Sequence, residues 1–251
     1  MSTSVDTQVG RVVWHQLMTP DIERAKGFYT ELLGWGIEVW KPGEADYPMI
    51  QVDGRTHGGF MDSQGEATQW IAHVVVEDVD AAVARAAENG GGSAAPIMDM
   101  PEVGRFGLIR DAQGAVLSAY APVGDGEFAS GVFLWDELLT GEVDEAKRFY
   151  SSVFGWETSD MDMGEMGTYT IFKRAGGVDA GGLMQRPDEM PASAWVPYLA
   201  TDDVDATVAR AGALGATVLM PGMDVPEIGR FAMVLDPTGG LFGLYKPAAG
   251  G

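Results

Sequence analysis

The sequence predicts an α+β fold of two tandem domains, each a pair of modules that read strand, helix, then further strands. Its opening motif occurs twice. Trp14-His15-Gln16-Leu17-Met18-Thr19, Ala25-Lys26, Phe28-Tyr29 and Gly34-Trp35 return as Trp135-Asp136-Glu137-Leu138-Leu139-Thr140, Ala146-Lys147, Phe149-Tyr150 and Gly155-Trp156. Later landmarks keep step. His57-Gly58-Gly59-Phe60-Met61 matches Ala180-Gly181-Gly182-Leu183-Met184, and Pro101-Glu102-Val103-Gly104-Arg105-Phe106 matches Pro226-Glu227-Ile228-Gly229-Arg230-Phe231. Self-similarity at a nearly constant offset marks a duplication.

The repeat divides the 251 residues into domains at 9–122 and 131–247, each large enough to bury a core. The joint falls on the Pro-, Gly- and acid-rich stretch 121–127, and residues 1–8 and 248–251 read as loose ends. In the first module residues 11–18 alternate as a strand. Thr19 can cap a helix that begins at Pro20, with Asp21 favourable near its positive end. Ile22, Ala25, Phe28, Tyr29 and Leu32 recur at helical spacing until Gly34 stops the helix, and residues 37–40, 47–52 and 58–61 follow as strands. The second module repeats the order, with strand 70–76, helix 79–88 closed by Asn89-Gly90-Gly91, and strands near 97–100, 105–110 and 115–120. Asp111-Ala112-Gln113-Gly114 turns between the last two. Copy two offers helices near 142–154 and 204–214 and the matching turn Asp236-Pro237-Thr238-Gly239.

A formal net charge of −21 is shared by both copies, with 17 acids against 8 bases in residues 1–122 and 20 against 8 in residues 123–251. Such a surface repels phosphate backbones and anionic lipid, so the expected partner is a small molecule, neither nucleic acid nor membrane. Without cysteine there is no disulfide framework, thiol nucleophile or thiolate metal site. The first residues lack the basic and apolar regions of a signal peptide, and no apolar run reaches membrane-spanning length, so a cytoplasmic location is expected. Tandem copies are compatible with a monomer or a homodimer.

Taken in order and twice over, Thr19-Pro20-Asp21, Phe28-Tyr29, Leu33-Gly34-Trp35, Glu77-Asp78-Val79-Asp80-Ala81 and Asp236-Pro237-Thr238-Gly239 resemble the vicinal oxygen chelate superfamily. That superfamily includes glyoxalase I, bleomycin- and fosfomycin-resistance proteins and extradiol dioxygenases, and the chain is most similar to its tandem glyoxalase-like proteins. The resemblance implies two glyoxalase-like domains, each a pair of βαβββ modules forming a cup-shaped mixed sheet with helices outside and the ligand in the cup. It implies no particular reaction. Members that use a metal carry ligands on the first strand of each module and a carboxylate on the last strand of the pair. Those positions fall on Trp14, Ile71 and Ser118, and in copy two on Trp135, Val196 and Gly243. None offers an imidazole, carboxylate or thiolate, so no metal and no cofactor is expected. The alternative, a divalent-metal lyase, isomerase or dioxygenase, requires a register slip that gathers histidines among His15, His57 and His73 with Asp99 or Glu102. A non-catalytic interaction scaffold with an exposed apolar patch is a further alternative.

Alternation along a strand puts His73 on the face of Ile71, toward the ligand, and His15 on the face opposite Trp14. His73 is therefore one candidate catalytic acid–base group, because imidazole titrates near neutrality. His15 and His57 read as partly exposed. Glu137, two residues beyond Trp135, is the other candidate, since a carboxylate beside an indole in apolar surroundings can serve as a base. Its plainer reading is a strand-end residue that reaches solvent or Arg230. Trp14, Gln16, Ser118, Tyr120, Trp135, Tyr169 and Tyr198 are candidate ligand contacts whose aromatic content favours a largely apolar or aromatic molecule. Arg105 and Arg230 can anchor an acid, or tie down their own hairpins through Glu102 and Glu227. The glycine pairs 58–59 and 181–182 read as bends or points of close ligand approach. The fourteen methionines read mainly as core, with some lining the pocket. Gln16 against Glu137 and His73 against Tyr198 mark the two cups as diverged. The functional expectation is a metal-independent protein that binds a small, largely apolar or aromatic metabolite, with or without transforming it, in secondary metabolism or detoxification.

Overall fold

The computed structural model describes residues 8–41, 46–124, 127–164 and 167–248. Of the expected loose ends at 1–8 and 248–251, residues 1–7 and 249–251 lie outside the described residues, as do Asp125-Gly126 of the joint, while the Ala248 amide donates to the Ile228 carbonyl at 2.9 Å. Four modules follow one another. The first runs β1 (Val12–Thr19), α1 (Ile22–Leu33), β2 (Gly36–Trp40), β3 (Tyr47–Val52) and β4 (Arg55–Asp62). The second runs β5 (Gln69–Val75), α2 (Val79–Glu88), β6 (Gly92–Ser93), β7 (Met98–Met100), β8 (Gly104–Arg110) and β9 (Val116–Pro122). Copy two repeats them as β10 (Phe133–Thr140), α3 (Val143–Phe154), β11 (Glu157–Asp162), β12 (Thr168–Arg174) and β13 (Val178–Gln185), then β14 (Ala194–Ala200), α4 (Val204–Ala213), β15 (Thr217–Val225), β16 (Gly229–Leu235) and β17 (Leu241–Pro247).

The start of α1 corrects the expectation. Thr19 ends β1, and the cap is Asp21, whose carboxylate accepts from the Arg24 amide at 3.1 Å. Asp21 carries an anion next to the helix's free amides, so it outcompetes the threonine hydroxyl for the same role. Gly34 stops the helix as expected, with φ 71° in the left-handed region.

Each copy contributes one mixed sheet, ordered β2-β3-β4-β1-β5-β9-β8-β6 with β7 paired to β8, and β11-β12-β13-β10-β14-β17-β16-β15. Within every module the first strand runs parallel to the last, as in β1 with β4 and β14 with β17, while the remaining pairs are antiparallel.

The cores divide differently from the sheets. One compact unit comprises the chain up to Trp14, Ala72–Phe128 and Asp136–Trp195. The other comprises His15–Ile71, Ala129–Trp135 and the chain from Val196. The divisions cut β1, β5, β10 and β14, so the second module shares a core with the third, and the first shares one with the fourth. In the first unit Ala72, Val74, Val79, Ala82, Leu117 and Ala119 pack with Leu138, Phe149, Tyr150 and Val153. In the second, Leu17, Phe28, Tyr29, Leu32 and Phe60 pack with Leu199, Ala211, Val234 and Phe242. None of the described methionines joins the buried core, contrary to expectation. The interior is filled by aromatic, aliphatic and alanine side chains, which have fewer rotamers to fix than methionine.

Each core holds one buried polar knot of the same design. In the first unit Tyr150 donates to Asp111 Oδ2 at 2.9 Å and accepts from Trp195 Nε1 at 2.9 Å. In the second, Tyr29 donates to Asp236 Oδ2 at 2.9 Å and accepts from Trp70 Nε1 at 3.2 Å. The other aspartate oxygens accept backbone amides of their own turns, from Gln113 and Ala115 and from Thr238 and Gly240. These bonds satisfy both carboxylates in places closed to water. Burial, then the neighbouring carboxylate, pushes the Tyr29 and Tyr150 phenols well above their usual range, and burial raises Asp111.

Candidate functional site

β5, β8 and β9 sort their side chains by strict alternation. Ala72, Val74, Leu117, Ala119 and Ile109 face α2, and a Cβ on Gly107 would lie 2.8 Å from Val79 and Val83. The opposite face carries His73, Phe106, Ser118 and Tyr120. There His73 presents its ring at right angles to Phe106 and Tyr120, with centroids 5.6 and 6.3 Å away. Phe106 and Tyr120 stack in parallel at 4.7 Å, and Phe128 meets Tyr120 edge-on. Trp14, Val13 and Val75 complete this apolar cluster. Tyr120 is held by its hydroxyl, which donates to the Val103 carbonyl at 2.9 Å, and burial raises its pKa. Ser118 is buried and pairs with His73 in the ladder. His73, Ser118 and Tyr120 share this face of the sheet, Trp14 packs against the cluster, and Phe106 and Phe128 are additions.

Copy two builds the same wall from different chemistry. Tyr198 takes the place of His73, with Phe231 at 5.9 Å and Tyr245 at 6.5 Å. Tyr245 donates to the Ile228 carbonyl at 2.8 Å, as Tyr120 does to Val103. Gly243 replaces Ser118, and the reason is steric: a Cβ there would lie 2.2 Å from Tyr198 Cδ1. The larger ring in copy two requires the smaller partner.

Gln16 and Glu137 occupy equivalent positions on β1 and β10. Gln16 is buried on β1, accepts from the Tyr47 hydroxyl at 3.1 Å and donates to the Met61 sulfur at 3.4 Å. Tyr47 was missed in the sequence, although it corresponds to Tyr169, which was chosen. Gly59 makes room for this ring, since an added Cβ would lie 2.4 Å from the Tyr47 hydroxyl. Gly58 likewise lies against the His15 carbonyl and Gly181 against that of Asp136. The glycine pairs therefore admit neighbouring protein groups. Glu137 is buried on β10, beside Gly182 in the ladder, and so does not reach solvent as its plainer reading had it. Trp135 and Tyr169 are half-buried.

Three readings need revision. His15 and His57 are buried, not partly exposed. His15 stacks on Phe133 at 3.9 Å, beside Trp35 and Trp70, and burial lowers the His57 pKa. The arginines are tied down by acids other than the expected glutamates. Arg105 binds Asp80 at the start of α2 through two 2.9 Å bonds, and Asp99 on β7. Arg230 binds Asp205 and Asp224 in the same manner and adds the Gly222 carbonyl. Both alternate with Phe106 and Phe231, which places the guanidinium groups on the helix side of their strands. Glu102 and Glu227 instead occupy left-handed turn positions, at φ 67° and 65°.

Among the described residues no three His, Asp or Glu side chains converge as metal ligands. Trp14, Ile71, Ser118, Trp135, Val196 and Gly243 supply no donor of the required kind, and Asp99 is committed to Arg105. The residues present do not fit a divalent metal at the positions the superfamily's metal enzymes use. Among the described residues no helix is long and apolar enough to cross a membrane.

Modules of this order, in two mixed sheets with an aromatic wall on each, define a tandem glyoxalase-type protein. Residues 9–118 match the glyoxalase/bleomycin resistance protein/dioxygenase superfamily, and residues 134–245 match a glyoxalase-like domain. The chain is 34% identical over 246 residues to CFP32 of Mycobacterium tuberculosis, named provisionally as a glyoxylase, covering 94% of each chain. It is 29% identical to the anthracycline biosynthesis protein DnrV of Streptomyces peucetius, over 96% of this chain and 97% of that one. The Mn(II)-bound glyoxalase from Novosphingobium aromaticivorans shares the fold, with a TM-score of 0.61 at 16% identity over 95% of this chain and 82% of that one. The chain belongs to the glyoxalase/bleomycin resistance protein/dioxygenase superfamily, the vicinal oxygen chelate proteins.

Proposed function

We propose that the protein is a metal-independent member of this superfamily that binds a small, largely apolar or aromatic metabolite. The observation that carries the reading is the twice-built aromatic wall, His73-Phe106-Tyr120 in copy one and Tyr198-Phe231-Tyr245 in copy two. Aromatic faces held by hydroxyl-to-backbone bonds are pre-organised, so a planar ligand would stack on them without a large ordering cost. DnrV, similar over nearly its whole length, is named for the making of anthracyclines, which are polycyclic and aromatic. That supports a planar aromatic ligand in secondary metabolism or detoxification. If the bound molecule is transformed, His73 and Glu137 are the acid–base groups, each buried on the first strand of its module.

Elemental analysis of protein purified without added metal or chelator, with native mass spectrometry of the same sample, tests the metal-free reading directly. The expected result is substoichiometric metal and tryptophan quenching by an anthraquinone probe that EDTA leaves unchanged. Stoichiometric iron, zinc, manganese or nickel, with binding lost to EDTA and restored by that metal, would overturn it. For any turnover found, His73→Ala and Glu137→Gln should lower kcat more than they raise KM.

A further inference from the structure

The chain holds a single asparagine, Asn89, and the residue after it is Gly90. Asn89 is the C-cap of α2, at φ −107° and ψ 24°, and Gly90 follows in the left-handed region at φ 89°. Both are exposed. The Asn89 carboxamide reaches back along the helix, where its Nδ2 donates to the Arg85 carbonyl at 2.7 Å, beside the bond of 3.1 Å that the Asn89 amide makes to the same oxygen. The Gly91 amide is likewise spent on the helix, donating to the Ala86 carbonyl at 3.0 Å. Between them the Gly90 amide makes no hydrogen bond among the described residues. Space around it is open: chain neighbours aside, the nearest group to a Cβ built on Gly90 is Ala112 Cβ, at 3.9 Å. The turn does not require asparagine. In copy two Leu214 ends α4 at the equivalent position, with φ −85°, ψ 5° and Gly215 following at φ 91°.

We propose that Asn89 is a self-modifying site, at which the chain converts its own carboxamide to a carboxylate. The Gly90 amide nitrogen, after hydroxide has removed its proton, attacks Asn89 Cγ. The Cγ–Nδ2 bond breaks, ammonia leaves, and a five-membered imide joins the two residues. Water then opens the imide at either carbonyl and gives aspartate or isoaspartate at position 89. Glycine at 90 favours the step because it has no Cβ to hinder the attack and permits the backbone rotation that the ring needs. The bond to Arg85 holds the carboxamide away from Gly90, so the reaction waits for the last turn of α2 to fray and not for the fold to open. Its product cannot restore the cap. A carboxylate offers acceptors only, it faces the partial negative charge of the Arg85 carbonyl, and it sets an anion at the negative end of the helix. The change runs one way and is independent of the proposed ligand.

Purified full-length protein, held in mildly alkaline buffer and digested with trypsin at intervals, provides the test. Cleavage after Arg85 and Arg105 releases residues 86–105, in which Asn89 is the only amide side chain. That peptide should gain one mass unit and become a substrate for protein isoaspartyl methyltransferase. In the folded protein the gain should be slower than in the same peptide free in the same buffer by roughly two- to tenfold, the weight of one hydrogen bond. A reaction that needed global unfolding would be slower by roughly a thousandfold or more. Folded protein that keeps its mass after the free peptide has converted would overturn the proposal, as would a gain confined to the peptides carrying Gln64 or Gln113, which also precede glycine. Asn89→Leu, which takes the residue of copy two, should abolish the gain, and its persistence there would overturn the assignment to Asn89. Asn89→Asp reproduces one product and should lower Tm by roughly 2–8 °C, whereas an unchanged Tm would refute the loss of the cap.

Discussion

Replacing Gly243 by serine puts a side chain where Tyr198 already lies. The new Cβ would sit 2.2, 2.5 and 2.7 Å from Cδ1, Cε1 and Cγ of that ring, against an ordinary contact of 3.4 Å or more. The ring must retreat by about 1 Å inside a buried site, and overpacking of this kind costs about 1–3 kcal/mol. For a chain of this length each kcal/mol lowers Tm by about 2–4 °C. Tyr198→His alone removes buried ring atoms and leaves a cavity, at a cost of about 1–3 kcal/mol. The double variant installs the pair that copy one uses at the same ladder position, His73 opposite Ser118. Its hydroxymethyl group fills space that the smaller imidazole vacates, so its loss should fall short of the sum of the single losses by about 1 kcal/mol or more. Urea unfolding of the four proteins measures the cycle. Additivity within about 0.5 kcal/mol would show that the two positions do not compensate and that the walls differ for another reason.

Three further outcomes are expected. Tyr29 and Tyr150 have pKa values raised well above 10.0, so the folded protein keeps protons that the unfolded chain releases. Their contribution to stability is whole below about pH 10 and falls above it by up to about 1.4 kcal/mol per pH unit for each phenol; urea midpoints between pH 9 and 11.5 should therefore drop less steeply in Tyr29→Phe/Tyr150→Phe, and parallel curves would refute the assignment. Glu102 and Glu227 follow proline in turns closed by Val103 N–H to Met100 and Ile228 N–H to Val225, with left-handed backbone that suits glycine. Either residue changed to glycine should raise stability by up to about 1 kcal/mol, and a loss in thermal unfolding would show that the glutamate side chain has a compensating role. Asp21→Ala should destabilise by about 1 kcal/mol, and the reverse ranking, with Thr19→Ala costing more, would return the cap to Thr19.

Much of the molecule was legible from local pattern. Ile22, Ala25, Phe28, Tyr29 and Leu32 announced α1 because a helix face repeats every three to four residues. The period of two along β5 separated His73 from Ala72 and Val74. The aromatic wall was half legible. Tyr120 and His73 were chosen, but Phe106 was passed over because a lone phenylalanine on a strand reads as core. Arg105 and Arg230 read as ties to the neighbouring Glu102 and Glu227, or as anion anchors, because nothing local reveals that Asp80 and Asp205, each 25 residues away, come within hydrogen-bond reach. Their partners are set by the packing of α2 and α4 on β8 and β16.

The sequence by itself determined the duplication, the four modules and the superfamily. Which aspartate each tyrosine meets was beyond it. Tyr29 has a choice between Asp111 in its own copy and Asp236 in the other, and the two turns, Asp111-Ala112-Gln113-Gly114 and Asp236-Pro237-Thr238-Gly239, share the pattern of Asp followed three residues later by Gly. Only tertiary packing selects Asp236, because the first and fourth modules bury their helices in a common core and bring that turn to the phenol. Periodicity specifies which face of an element is apolar, whereas the identity of the surface that covers it is a long-range decision of the whole chain.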